Sequence, residues 1–339
     1  MAVRIRDVAE YSGVSVSTVS RGLNNHPDVS EAVRAKVLSA VETLHYVPNS
    51  SARDLVLPQS DTIGIVVRGV ENPFFTALIH GAEQAAHQSG HTVVLHLIGS
   101  EDDELTAAAG LIRSKKLKGL ILLGGRFDYA PEQTVALGVP FVCCSFTNSF
   151  GTLSRDAYSS VSVDDRLEAY KAVKLLLERG HKRIAILLDS IHDRSISELR
   201  YRGYCQALEE AGLPLDPALV VETANFTMEA AYEGICRLQR SGAEFTAIFA
   251  IADAMAIAAI KALSDNGRSV PEHCSVVAID GIDLSNYTVP TLTTLIQPKE
   301  IMGAEAVRIL LDVADHRAEH QHVRLGTTLR AGGSVAAVS

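Results

Sequence analysis

DVAEYSGVSVSTVSRGLN, residues 7–24, is the stretch on which the reading of this chain turns. Leading into it, Ile5, Val8, Ala9 and Tyr11 recur at helical spacing, and Gly13 stands where a left-handed C-terminal cap belongs. Ser15 then reads as an N-cap with Thr18 three residues on, opening a second short helix that runs through Leu23. Two such helices joined by a tight turn containing glycine form a helix-turn-helix. A third helix is expected from Ser30 to about Leu44, with Val33, Val37, Ala40, Val41 and Leu44 on one face. Val8, Ala9, Val14 and Val19 read as the core of this small head.

Outward from the head, residues 48–58 read PNSSARDLVLP. This segment lies between two prolines and is too short to hold a helix alone, since isolated helices below about 12 residues are marginal in water. It nevertheless carries Ala52, Leu55, Val56 and Leu57 with no core to bury them. Residues 1–58 hold the basic groups Arg4, Arg6, Arg21, Arg34, Lys36 and Arg53 against the acidic groups Asp7, Glu10, Asp28, Glu31, Glu42 and Asp54, a net charge of zero. The chain's formal charge of −9 therefore lies wholly beyond them. Charge alone does not point the head toward nucleic acid.

Past residue 58 the texture changes. The runs TIGIVV (62–67), TVVLHLI (92–98), GLILLG (119–124), PFVCC (140–144), RIAILL (183–188), TAIFAI (246–251) and SVVAID (275–280) alternate with amphipathic stretches. Continuous β-branched runs separated by helices imply parallel strands buried on both faces. They fall into two groups, about 62–163 and 183–290, which predicts two similarly built lobes with a ligand cleft at the C-terminal ends of their strands. A length of 339 residues suits such a multi-domain chain.

Several function classes lack their residues. No run approaches the roughly 18 to 20 apolar residues of a membrane span, and the N-terminus has no apolar core behind a basic start, so a cytoplasmic protein is expected. Cys143, Cys144, Cys205, Cys236 and Cys274 form no C-x-x-C pair and read as small apolar core residues. His316 and His320 in DHRAEHQH (315–322) stand at i,i+4 but have no third ligand, so a solvated helix end is the expectation and no metal is assigned. EDDE (101–104) reads as an acidic first helical turn. The glycine fingerprints of phosphate-cradling loops and nucleophile elbows are absent, so neither an α/β enzyme nor a cofactor is expected.

With DVAEYSGVSVSTVSRGLN come YVPNSSARDL (46–55), NPFF (72–75), RGHKRIA (179–185), VVAIDG (276–281) and PTLTTLIQP (290–298). This ordered set, covering residues 3 to about 334, resembles the lactose-repressor (LacI-type) family of bacterial transcriptional regulators. The resemblance implies an α/β fold: a three-helix head (1–47), a hinge helix and linker (48–59), and a two-lobed periplasmic-binding-protein-like core of parallel sheets flanked by helices. The first lobe is expected from 60–162 with about 292–319, the second from 163–291 with about 320–339. It also implies a repressor acting as a homodimer on palindromic operator DNA, with affinity set by a small molecule, most often a carbohydrate or sugar phosphate. Purine or protein co-regulation is the alternative; a sugar-binding transport protein, which would need a signal peptide and no head, or an α/β enzyme is a remoter one.

A helix-turn-helix puts its second helix into the major groove N-terminus first. Val16 and Ser17, with Arg21 one turn on, would then meet base edges: valine a thymine methyl, serine several bases, arginine a guanine bidentately. Ser15, Thr18, Ser20 and Asn24 are candidates for phosphate contacts that set register. In the family the hinge orders on operator DNA, where two copies pack together and a leucine from each wedges into the minor groove. Leu55 stands at that leucine's position, with Ala52 at i−3 allowing close helix approach. Arg4 departs from the family's threonine or serine N-cap.

For the core the resemblance implies an effector site at Phe74, Phe75, Arg194, Arg200, Phe226, Asp253 and Asp280. Asp280 would accept hydrogen bonds, Arg200 would supply a planar fork, and the phenylalanines would supply apolar faces. Ser145, Ala252 and Glu168 replace a frequent aspartate, asparagine and glycine. Arg126, after GLILLGG, is a candidate polar lining group that compensates.

Overall fold

The structure, a computed structural model, describes residues 5–23, 28–44, 61–69, 71–223 and 225–338. The chain divides into two units, residues 1–60 and 61–339, each taken by itself.

In the first unit, helices α1 (Ile5–Ser12), α2 (Val16–Leu23) and α3 (Glu31–Thr43) pack around Val8, Val19 and Val37, all fully buried, with Ala9 and Ala40 beside them. Gly13 takes φ 68°, the left-handed geometry that ends α1, and the Thr18 amide donates to Ser15 Oγ at 3.1 Å, capping α2. The expected cap position Arg4, the phosphate candidate Asn24, and Ala52 and Leu55 of the expected hinge all lie outside the described residues.

The second unit begins with β1 (Thr62–Arg68), α4 (Phe74–Gln88), β2 (Thr92–Ile98), α5 (Glu104–Ser114), β3 (Gly119–Leu123), α6 (Pro131–Thr134), β4 (Phe141–Cys144) and β5 (Ser159–Ser162). It continues through α7 (Asp165–Glu178), β6 (Ile184–Leu188), α8 (Ile196–Glu210), β7 (Val220–Glu222), α9 (Met228–Arg240), β8 (Ala247–Ala250), α10 (Asp253–Asp265), β9 (Ser275–Asp280) and β10 (Thr293–Ile296). It ends with α11 (Lys299–Ala314), β11 (His322–Arg324) and β12 (Thr328–Arg330). The strands form two six-stranded sheets, ordered β11-β5-β4-β3-β1-β2 and β12-β10-β9-β8-β6-β7. Their pairings are parallel except for β10 with β12.

Every residue of β3 and β6 is buried, as expected for apolar strands covered by helices on both faces. β2 differs. It is an edge strand, and Leu95 and Leu97 remain 46% and 52% exposed because nothing among the described residues covers that margin.

The lobe boundaries differ from the sequence reading. Thr293–Ile296 pairs with β9, so the chain leaves the second lobe after Ile296 rather than near 292. His322–Arg324 pairs with β5, so it leaves the first lobe after Arg324 rather than near 320. Backbone pairing, invisible to composition, decides both crossings. Between them α11 lies against α4 almost backbone to backbone. A Cβ at Gly81 would fall on the Glu300 carbonyl and one at Gly303 on that of Leu78, which is why glycine stands at each.

Candidate functional site

Two regions carry the residues singled out by sequence. In the head, α2 turns Val19 and Gly22 into the core, and Val16, Ser17 and Arg21 out to solvent. Ser15 Oγ lies 2.8 Å from both Ser17 Oγ and Thr18 Oγ1, so the cap forms a small hydroxyl cluster at the helix N-terminus. Ser20 and Thr18 are half-buried at the flank. The exposed face thus presents an apolar group, hydroxyls and a guanidinium along one short helix.

In the second unit the strand ends of the two lobes meet along a seam. Ile282 and Ile257 of the second lobe join the first-lobe cluster of Phe74, Phe75, Leu78 and Met302, while Ile196 and Leu199 pack on the cluster holding Phe127, Tyr129 and Phe146. Arg194 Nη1 lies 3.9 Å from Asp128, and the Arg202 guanidinium sits 4.9 Å from the centroid of Phe150.

On the second-lobe side Arg200 is buried. Its Nε and Nη2 donate to Asp165 Oδ1 at 3.0 and 2.8 Å, its Nη1 donates to the Ile251 carbonyl, and Asp280 Oδ1 stands 3.6 Å away. The guanidinium is engaged inside its own lobe, a role the sequence reading did not give it. Burial raises the Asp165 carboxyl above its ordinary range, against the pull of Arg200.

Asp280 ends β9 with φ 135°, a conformation rare for an L side chain and of the kind concentrated at ligand clamps. Gln297 Nε2 donates to its Oδ1 at 2.9 Å, while Oδ2 is buried without a partner among the described residues. Lys299 Nζ donates to the Asp280 and Gly281 carbonyls at 3.0 and 2.6 Å, fixing the turn. Burial pushes the Asp280 carboxyl up to about 7 despite Arg200.

Other expected residues are placed differently. Asp253 accepts from the Ile282 amide at 2.9 Å, Ser285 Oγ at 2.7 Å and Thr294 Oγ1 at 2.5 Å, so its oxygens tie α10 to the turn after β9 and to β10. Phe74 and Phe75 are 5% and 8% exposed and pack edge to face in the core, which takes up the surface expected for ligand contact. Phe226 is half-buried against the second-lobe core. Ser145 takes φ 76° and its amide donates to the Val161 carbonyl at 2.8 Å. Arg126 turns its guanidinium outward, 3.7 Å from Asp128, so only its amide is turned into the site.

That amide leads to a cluster the sequence reading missed. Glu104 is buried, and its Oε1 accepts from the Arg126 amide at 2.6 Å and from Tyr129 Oη at 2.5 Å. Its Oε2 faces Arg68 Nε at 3.8 Å, and neither atom has a hydrogen-bond partner among the described residues. Burial, then the charge of Glu104, raises the Tyr129 hydroxyl well above its usual value. EDDE reads as an acidic first helical turn, and Glu104 does open the helix. Asp103 does cap α5, accepting from the Thr106 amide at 2.6 Å, but the glutamate beside it turns inward. The available signal was Arg68, a charge ending an apolar strand just as Asp280 does.

Of the substituted positions, Ala252 N-caps α10 without a side-chain bond, and Glu168 is buried, accepting from Lys171 at 2.9 Å and Thr327 at 2.5 Å. DHRAEHQH, expected at a helix end, begins just past the end of α11 at Ala314. His320 Nδ1 lies 2.9 Å from Ser159 Oγ, and His316 takes φ 56°. No group of three or more potential ligands for a metal occurs among the described residues. Nor, among them, is any helix long and apolar enough to cross a membrane.

Comparison with known proteins follows this division of the chain. Residues 4–49 match the model of bacterial regulatory proteins of the lacI family, and residues 173–335 a periplasmic binding protein-like domain. A relative named HTH-type transcriptional regulator MalR, from Clostridium butyricum, is 38% identical over 96% of this chain and 97% of its own. Among solved structures, a transcriptional regulator CelR–cellobiose complex matches with TM-score 0.73 at 29% identity, covering 98% of this chain and 99% of the other. The Lac repressor dimer bound to operator and the anti-inducer ONPF matches with TM-score 0.78 at 26% identity, covering 99% and 100%.

Proposed function

The chain belongs to the LacI family of bacterial regulatory proteins, and from that premise we propose that it is a repressor which binds a palindromic operator as a homodimer and is controlled by a carbohydrate held at the seam of its core. It is a DNA-binding transcriptional regulator under ligand control. The observation that carries the carbohydrate is the pair of buried carboxylate oxygens left without donors, Asp280 Oδ2 on one lobe and Glu104 Oε2 on the other. An unpaired buried acceptor costs about 1 to 3 kcal/mol, and a ligand rich in hydroxyl donors relieves that cost. One similar solved structure supports this: the CelR complex holds cellobiose. Phe226, Arg194 and Ser145 remain proposed lining groups at the rim.

The DNA-reading role rests on the exposed face of α2. Arg21→Ala is expected to lose about 1 to 3 kcal/mol of operator binding and to relax preference at one base pair per half-site. Fluorescence anisotropy on the operator and on single-base variants checks this; equal losses on operator and scrambled DNA would reduce Arg21 to a phosphate contact. Leu55, with Ala52 beside it, is proposed as the minor-groove wedge, and Ser15, Thr18, Ser20 and Asn24 as phosphate contacts.

The effector role of Asp280 has a pH signature. Because burial raises this carboxyl to about 7, it is largely protonated at pH 6 and ionised at pH 8. Only the ionised form offers both oxygens as acceptors, so affinity for a hydroxyl-rich ligand should rise several-fold across that interval. The same elevation means that Asp280 contributes stability at low pH which is lost as pH rises through about 7. Asp280→Asn should weaken the sugar about 10-fold and flatten the profile. Calorimetry at pH 6 and 8 tests this against mono- and disaccharides, sugar phosphates and purines. Binding of purines alone, or an unchanged profile in the variant, would assign the site otherwise.

A further inference from the structure

Glu104 and Arg68 face each other in the first lobe. Their nearest polar atoms, Oε2 and Nε, are 3.8 Å apart, too far for a hydrogen bond to each other. One oxygen able both to donate and to accept can nevertheless reach both at ordinary lengths, about 2.7 Å to the carboxylate and about 2.9 Å to the guanidinium. Glu104 is held for such a task. Its other oxygen is locked by the Arg126 amide and by Tyr129, whose ring is buried against Phe146. The paired glycines of LLGG allow this packing. A Cβ at Gly124 would meet the Arg68 carbonyl at 2.5 Å, and one at Gly125 would collide with Tyr129 Oη and Phe146. Arg68, Glu104 and Tyr129 come from the end of β1, the start of α5 and the loop after β3, the edge of the sheet where α/β folds take their ligands.

We propose that Glu104 and Arg68 form the first-lobe anchor of the effector, clasping one hydroxyl between them and selecting a neutral sugar over a sugar phosphate. This deepens the carbohydrate reading above and rests on it. The hydroxyl donates its proton to Glu104 Oε2 and accepts from Arg68 Nε–H; a phosphate oxygen, which only accepts, would satisfy Arg68 but stand against the carboxylate. The neighbouring cations add no anion site. Arg126 and Arg194 both lie near Asp128, at 3.7 and 3.9 Å, and Arg200 is spent on Asp165 at 2.8 Å, so each already faces a carboxylate.

The test is calorimetry of the full chain with cellobiose, maltose, glucose and glucose 6-phosphate, followed by single-deoxy derivatives of the sugar that binds. Glu104→Gln keeps an oxygen for Arg126 and Tyr129 but places an NH2 against Arg68, donor to donor. It is expected to lower affinity for the neutral sugar about 10- to 100-fold. One deoxy derivative should lose a similar factor on the parent protein and lose nothing further on the variant, because both changes remove the same bond. If thermal unfolding shows Glu104→Gln not to fold, Arg68→Gln serves in the same cycle. Affinity of the variant within twofold of the parent, losses that multiply for every deoxy derivative, or tighter binding of glucose 6-phosphate would overturn the anchor while leaving a carbohydrate regulator standing. Failure of all four probes to bind the parent protein would overturn both readings.

Discussion

Arg200→Met is expected to lower the stability of the second unit by about 3 to 5 kcal/mol, the usual cost of removing one partner from a buried ion pair. Arg200 is almost fully buried, with Asp165 bonded to it at 2.8 Å and Asp280 at 3.6 Å. Without the guanidinium, Asp165 and Asp280 remain in a dry interior with Lys299, near Asp280, as the cation still acting on that carboxyl, and the Ile251 carbonyl loses its donor. The pH dependence identifies the cause. Burial already raises both carboxyls, and Arg200 is what opposes that rise. In the variant they shift further upward and can be accommodated only when protonated. The deficit should therefore be smaller at pH 5.5 and grow toward pH 8, as expected where the folded state binds more protons than the unfolded one. Thermal unfolding followed by circular dichroism at the two pH values measures this. Adding Asp165→Asn should restore part of the loss at pH 8; a pH-independent deficit with no rescue would mean that lost packing, not charge, is responsible.

Tyr287→Arg is expected to convert a dimer to a monomer and to cut operator affinity about 100-fold or more. Tyr287 and Val289 are 83% and 93% exposed, and Leu284 is half-exposed on the same connection between β9 and β10, an apolar strip left uncovered by the described residues. On the first lobe, Leu95 and Leu97 of the edge strand β2 are exposed likewise. A second copy of the chain would cover such surfaces, and a charge placed amid them opposes that burial. One head presents only the short face of α2, so most operator affinity should come from two heads binding together, an avidity of about 10²- to 10⁴-fold. Sedimentation velocity and operator titration of the same samples test both halves. A variant that remains dimeric would move the interface elsewhere, and a monomer with undiminished affinity would remove the need for a dimer.

Among the described residues of the head, the three helices fall where the sequence places them, to within a residue at each end. Gly13, the Ser15 cap and the apolar spacing of Val8, Val19 and Val37 are local signals, each acting within a turn or two of helix, so the chain's order is enough to read them. The same holds for the central strands, whose continuous apolar runs can only be satisfied by cover on both faces. Asp280 was legible too, because a carboxylate ending a buried strand has few places to go.

What linear order could not settle depended on partners far away in sequence. Whether TVVLHLI lies in the middle or at the margin of its sheet depends on which strand pairs next to it, and among the described residues nothing pairs beyond β2. Asp253 and Asp280 look alike as carboxylates beside strand ends. Only folding brings Ser285 and Thr294 to the first and leaves an oxygen of the second unpaired. Glu104 was indistinguishable from its solvated neighbours in EDDE until Tyr129, Arg126 and Arg68 closed around it. The sequence by itself determined the head, the two-lobed architecture and the family, because periodicity and caps act over a few residues. Tertiary structure alone decided which buried charged groups are saturated by the fold and which keep an unpaired oxygen, because hydrogen-bond saturation of a buried group depends on every element packed against it.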